Sequence, residues 1–275
     1  MVNFEILLFI KLKQLEKKVD FKAFSSQVIT DYKNAFFFKK IIDKYQWASF
    51  YRRELLLSVL SKFATATDLV YNLPFSFNFK NEDNKDLLVN AKNEDFFIQG
   101  EELARGRDFT QNISVVSGMA LAAQQITGND DRIIFMGLSV AGMTEIDFLR
   151  LMELLSESKL RTNIILLDVH KAKGDFLKVR DYFEPKSPHS LKTLVVDVVD
   201  YQSIYKVLSE GLVTTRSAGV PVIFYPIEKL ISQVDYFSEE TEPLKKVRNW
   251  MLVNKIAKEE EMLDFEEEIN KFVVE

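Results

Sequence analysis

Residues 131–142, Asp-Arg-Ile-Ile-Phe-Met-Gly-Leu-Ser-Val-Ala-Gly, restrict the folds open to this chain more than any other stretch. The apolar run 133–136 is bounded by turn residues and is short enough to be a buried strand. Gly137 and Gly142 frame a turn after it. Thr144 and Asp147 then have the spacing of a capping box, so a helix is expected from about 143–145 to 158. A second apolar run at 163–168 ends in Asp168. Strand, turn, helix, strand is the unit of a parallel sheet with crossover helices. In such sheets ligands bind where strand ends and helix N-termini meet.

The rest of the chain continues the pattern. Strands are expected at 193–199 and 220–225, the second opened by Gly219 and Pro221. Between them, 200–216 carries Ile204, Val207, Leu208 and Leu212 on one helical face. Two helices close the chain, one with Leu244, Val247, Trp250 and Met251, the other with Met262, Phe265, Ile269 and Phe272. Residues 1–65 read as helical, with Tyr45, Ser49, Arg52, Leu56, Val59, Leu60 and Phe63 at three- and four-residue spacing. Residues 78–84 read as a solvated loop, 87–91 as a short helix, and 114–126 as a helix rich in small residues. The expected class is α/β: a mostly parallel sheet with flanking helices, a helical N-terminal segment and a C-terminal helical hairpin. The division is 1–110 and 111–275, packed as one compact unit.

Composition narrows the function. A net charge of −5, with no basic face interleaved with aromatics, argues against nucleic-acid binding. Zero cysteines exclude disulfides, thiolate nucleophiles and Cys-ligated zinc, and fit a reducing cytoplasm. The apolar run at 4–10 is too short to span a bilayer and is expected to pack on the body or on a partner. The Gly137 turn is neither a nucleophile elbow, since Ala141 follows Ser139 at two residues, nor a Walker loop, since no Lys-Ser/Thr follows Gly142. His170, just past the second strand, is the candidate for a catalytic group, with a surface residue beside Lys171 and Lys173 as the plainer reading. His189 lies in a loop. Asp168 is either a cation ligand or a cap for the turn after it, and Glu145 and Asp147 are lesser candidates for the same cation.

Taken in order, Ser114, Gly137, the following helix, Asp168, Val195-Val-Asp-Val-Val-Asp200, Tyr205 and Arg216-Ser-Ala-Gly-Val-Pro-Val-Ile-Phe224 resemble the α subunit of thiamine-diphosphate-dependent 2-oxo acid dehydrogenases. The closing run Glu242-Pro-Leu-Lys-Lys-Val-Arg-Asn-Trp250 to Met262 is similar to that family's C-terminal hairpin, and the resemblance covers roughly 111–275. It implies a thiamine-diphosphate-binding-like fold, oxidative decarboxylation of a 2-oxo acid, a magnesium ion bridging the cofactor's diphosphate, and a homo- or hetero-oligomer with a β subunit as possible partner. Gly137, Ser139 and Gly142 would contact the cofactor, and Asp168 would fall on or beside the second metal ligand. Leu138 stands where the family has its metal-binding Asp. An aliphatic side chain cannot coordinate magnesium. Unless Glu145 or Asp147 substitutes, diphosphate binding is expected to be weak. Lys258 stands where the hairpin tends to place a Ser/Thr cap. Two functions follow: an α-subunit enzyme, or a non-catalytic interaction or scaffold protein derived from it, a pseudoenzyme.

Overall fold

A computed structural model describes residues 21–46, 50, 52–64, 68–71, 73, 133–158, 160–184, 190–227 and 242–274. The expectations for 4–10, 78–84, 87–91, 114–126 and His189 lie outside the described residues. Five strands form one all-parallel sheet: β1 (Leu69–Tyr71), β2 (Ile134–Ser139), β3 (Thr162–Leu167), β4 (Lys192–Asp197) and β5 (Val222–Ile227), in the order β1-β2-β3-β5-β4. Seven α-helices accompany it among the described residues: α1 (Phe21–Tyr45), α2 (Glu54–Phe63), α3 (Glu145–Ser158), α4 (Phe176–Phe183), α5 (Tyr201–Ala218), α6 (Pro243–Val253) and α7 (Glu259–Val274). The α/β reading holds, and β1 draws part of the 1–110 segment into the sheet.

Alternation along the strands explains why both faces are covered. On β2, Phe135 joins the cluster beneath α1, α2, α5, α6 and α7, while Ile134, Met136 and Leu138 join the cluster beneath α3 and α4. On β3, Ile165 and Leu167 take the first face, Ile164 and Leu166 the second. A strand buried on both faces reads as an unbroken apolar run, which is what parallel sheets require.

Helix placement follows from handedness. From β2 through β3 to β4 the chain moves one way across the sheet, with α3 and α4 on one face, where Phe148 and Phe176 stack at 4.2 Å. From β4 it returns to β5, so a right-handed crossover needs α5 on the other face. There Ile204, Leu208 and Leu212 are buried. The chain turns back at β4, and Asp168 leaves the sheet at the end of β3, the neighbour of β5. The ends of α5 are set locally. The Asp200 side chain accepts from the Gln202 N–H at 3.0 Å, and Gly219, at φ +67°, supplies the left-handed C-cap.

Gly211 lets α5 lie close on β5. A Cβ there would stand 2.5 Å from Phe224 Cζ and 2.6 Å from its Cε1. Phe224 is fully buried. Alanine in mid-helix favours the helix by about 1 kcal/mol over glycine, but overpacking a closed core costs about 1–3 kcal/mol. Gly211→Ala is therefore expected to lower the urea midpoint, by a net loss of up to about 2 kcal/mol; a raised midpoint would mean that α5 can lift off the sheet.

The single helical stretch expected over 1–65 is corrected at its centre. α1 ends at Tyr45 and α2 begins at Glu54, because Gln46 (φ 54°) and Arg52 (φ 61°) take left-handed backbone that no α-helix continues through. The break lets α2 fold back antiparallel on α1: the Ser58 hydroxyl donates to the Asp31 carbonyl at 2.8 Å, and Lys62 reaches the Gln27 carbonyl at 3.4 Å. Asp31, fully buried, is held by Lys62, by the Gln27 amide at 3.2 Å and by the Tyr201 hydroxyl at 2.6 Å, which ties the hairpin to α5. Glu54 opens α2 at 1% exposure, and its Oε2 has no hydrogen-bond partner. The C-terminal hairpin forms as expected. At its second helix the Lys258 N–H donates to the Glu261 carboxylate at 3.3 Å, half of a capping box without the hydroxyl half.

Candidate functional site at the ends of the second and third strands

β2 and β3 run in register to their ends, Ser139 opposite Leu167, so the turns that follow emerge side by side. The register continues past the strands. The Val140 N–H donates to the Leu167 carbonyl at 3.0 Å, the Gly142 N–H to the Lys171 carbonyl at 2.9 Å, and the Lys173 N–H to the Met143 carbonyl at 2.8 Å. These three bonds join the turn after β2 to the turn after β3. Gly142 is needed there, since at φ +76° it turns the chain in the left-handed region.

Asp168 sits at the centre of this junction. Its backbone is left-handed, φ 54°, a conformation that aspartate tolerates better than most residues. It is the N-cap residue of a 3-10 turn, Val169–Lys171, in which positions three apart eclipse. That geometry puts the Lys171 ammonium 2.7 Å from Asp168 Oδ1. The Ser139 hydroxyl donates to Oδ2, also at 2.7 Å. The Asp168 side chain is only 3% exposed, while that of Lys171 is 48% exposed. Both carboxylate oxygens are thus engaged, one by a cation and one by a hydroxyl. Of the cap alternative, only the position is realised, because the Asp168 carboxylate bonds to no cap N–H.

The other candidates are used locally. Asp147 Oδ2 accepts from the Thr144 N–H at 3.0 Å and the Thr144 hydroxyl at 2.7 Å, which holds this carboxyl below its usual range. The Asp147 N–H donates back to the Thr144 hydroxyl at 3.3 Å, so the expected capping box is complete. Glu145 Oε1 accepts from the Asp175 N–H at 3.0 Å. Gly174 lies against it so closely that a Cβ would be 2.6 Å from the Glu145 backbone nitrogen. The N-terminal turn of α3, a natural place for an anion, is therefore covered by the chain at 174–175. Gly137 is buried within β2, opposite Ile165. His170 is exposed in the 3-10 turn.

Leu138 is 0% exposed and belongs to the cluster of Ile134, Met136, Val140, Met143, Phe148 and Phe176 beneath α3 and α4. Its side chain lies in that apolar cluster. Among the described residues no group of three or more His, Asp or Glu side chains is placed to hold a metal ion.

No protein-family model matches this chain, and no curated protein matches it. Among the described residues no helix is long and apolar enough to cross a membrane. The chemistry must be read from the site alone. The donors present do not fit a magnesium ion with a diphosphate. One expected ligand position is aliphatic and buried, the remaining acid is already neutralised, and the Gly142 amide is spent on a carbonyl.

Sequence reasoning brought Ser139, Gly142 and Asp168 to one place, and the structure does bring them there. It overlooked Lys171. The signal was the Asp168–Lys171 spacing of three, which pairs only if the intervening turn is helical or 3-10. It also overlooked α4, whose eight residues carry two buried phenylalanines, and whose start is fixed by the Asp175 side chain accepting from Leu177 and Lys178 N–H groups.

Proposed function

We propose that this chain is a non-catalytic, α-subunit-like relative of the thiamine-diphosphate-dependent 2-oxo acid dehydrogenases, serving as an interaction or scaffold protein. The ordered motifs support the ancestry. The α/β frame and its parallel sheet agree with it. One observation carries the loss of catalysis: the turns after β2 and β3 are bonded to each other, and Lys171 rests on the acid that would have served a metal. A cofactor would have to break this junction before it could bind. No reaction step is assigned to thiamine diphosphate or magnesium in this chain.

Calorimetric titration of the full chain with thiamine diphosphate, with and without magnesium, is expected to give no saturable heat. The melting temperature is expected to stay within about 1 °C, since a ligand that does not bind the native state cannot stabilise it. Magnesium-dependent saturable binding would overturn the proposal and restore the catalytic reading. Sedimentation of the same sample should show a stable homo-oligomer, or a hetero-oligomer once a β-type partner is supplied. A strict monomer with any partner would remove the scaffold half.

A further inference from the structure

We propose that the cleft between the start of α5 and α6 binds a small zwitterion with an apolar body, a free α-amino acid such as leucine or phenylalanine. The cleft lies past the carboxyl end of β4, apart from the Asp168 junction, and goes beyond the scaffold reading without depending on it. Its volume is about 290 Å³, at the small end of ligand pockets. Both walls are anchored. On one, the Tyr201 hydroxyl donates to buried Asp31 at 2.6 Å. On the other, Glu242 at the start of α6 pairs with Lys39 of α1 at 2.9 Å, and Val247 and Met251 are buried in the core. Positions 246 and 250 are one helical turn apart, so Lys246 and Trp250 stand together along the α6 wall. Asp200 lines the cleft from the cap of α5; one of its oxygens accepts from the Gln202 N–H at 3.0 Å, which leaves the other for a ligand. Among the described residues neither Asp200 nor partly buried Lys246 enters an ion pair. Opposite charges beside apolar surface from Val199, Val247 and the Trp250 ring match a molecule with three parts: a carboxylate for Lys246, an ammonium for Asp200, and a side chain to lie against Trp250. A simple anion would set like charge against Asp200, and a simple cation would do the same to Lys246.

The test is calorimetric titration of the full chain with L-phenylalanine and L-leucine. Saturable binding is expected, and the same ligands should raise the melting temperature, since they bind the native state. Phenylpropionate, which lacks the ammonium, and phenethylamine, which lacks the carboxylate, are expected to bind about tenfold more weakly or worse, each having lost one charge-assisted hydrogen bond. Lys246→Met and Asp200→Asn should weaken phenylalanine by a similar factor. Without ligand both variants should melt like the wild type, because neither side chain is fully buried and asparagine caps a helix as well as aspartate does. Lys178→Met, in α4 on the opposite face of the sheet, should bind as the wild type does. Absence of saturable binding by both amino acids would overturn the inference, as would undiminished binding by Lys246→Met. Phenylpropionate binding as tightly as phenylalanine would overturn the zwitterion assignment.

Discussion

Leu138→Asp is expected to cost about 3–8 kcal/mol, and to bring no gain in thiamine diphosphate affinity. Removing a fully buried leucine from a packed cluster costs about 2–5 kcal/mol by itself. The replacement then places a carboxyl in the apolar cluster of Met136, Val140, Phe148 and Phe176. An unmet buried polar group adds about 1–3 kcal/mol, and a carboxyl there escapes the larger cost of a buried charge only by staying protonated. Set against a typical total stability of about 5–15 kcal/mol, the sum threatens folding itself. Thermal melts should show a fall on the order of 10 °C or more. Leu138→Met, which keeps the volume, should cost less than about 1.5 kcal/mol and serves as the control. The opposite result, a stable Leu138→Asp protein that acquires magnesium-dependent cofactor binding, would show that position 138 faces a polar site.

The second large effect is on the dependence of stability on pH. Burial pushes the Glu54 carboxyl up from its usual 4.5 to about 7, and the nearby Glu242 carboxylate pushes the same way, while a backbone hydrogen bond, Lys39 and Arg53 pull against it. Lys39 is drawn off by Glu242 at 2.9 Å and by Asp43 at 3.3 Å, so it does not serve Glu54 directly. A carboxyl whose folded value lies above its unfolded value binds protons more tightly when folded. Its contribution is fully present below pH 4.5 and is lost as the pH rises through about 7. Over that window the loss is about 3 kcal/mol, at roughly 1.4 kcal/mol per pH unit of difference. Glu54→Gln keeps the shape without the charge. Urea unfolding at pH 5 and pH 8 should show the wild type losing about 3 kcal/mol more than the variant between the two. Parallel losses in both proteins would remove Glu54 as the cause.

Legibility in the sequence followed the range of the interactions. β2, β3, β5 and α5 could be read because each is specified by its own residues: an apolar run buried on both faces, an Asp200 cap, a Gly219 stop. The Thr144–Asp147 box is another local device, and it is realised within one helical turn. The α1–α2 break could not be read, because the apolar spacing runs on through it while left-handed Gln46 and Arg52 leave no mark of their own in the pattern. Three-residue β1 is too short to show a period, and gains its hydrogen bonds only by lying beside β2.

What the chain determined unaided is its architecture, since alternating apolar strands and amphipathic helices with their own caps allow little but a parallel α/β sheet. It also marked the place, as Ser139, Gly142 and Asp168 were all named from it. The tertiary structure alone decided the state of that place. Whether Asp168 offers its oxygens to a ligand or spends them on Ser139 and Lys171 depends on two turns meeting across 29 residues of chain. Contacts of that kind are set by strand register and by a 3-10 turn, neither of which has a periodic signature.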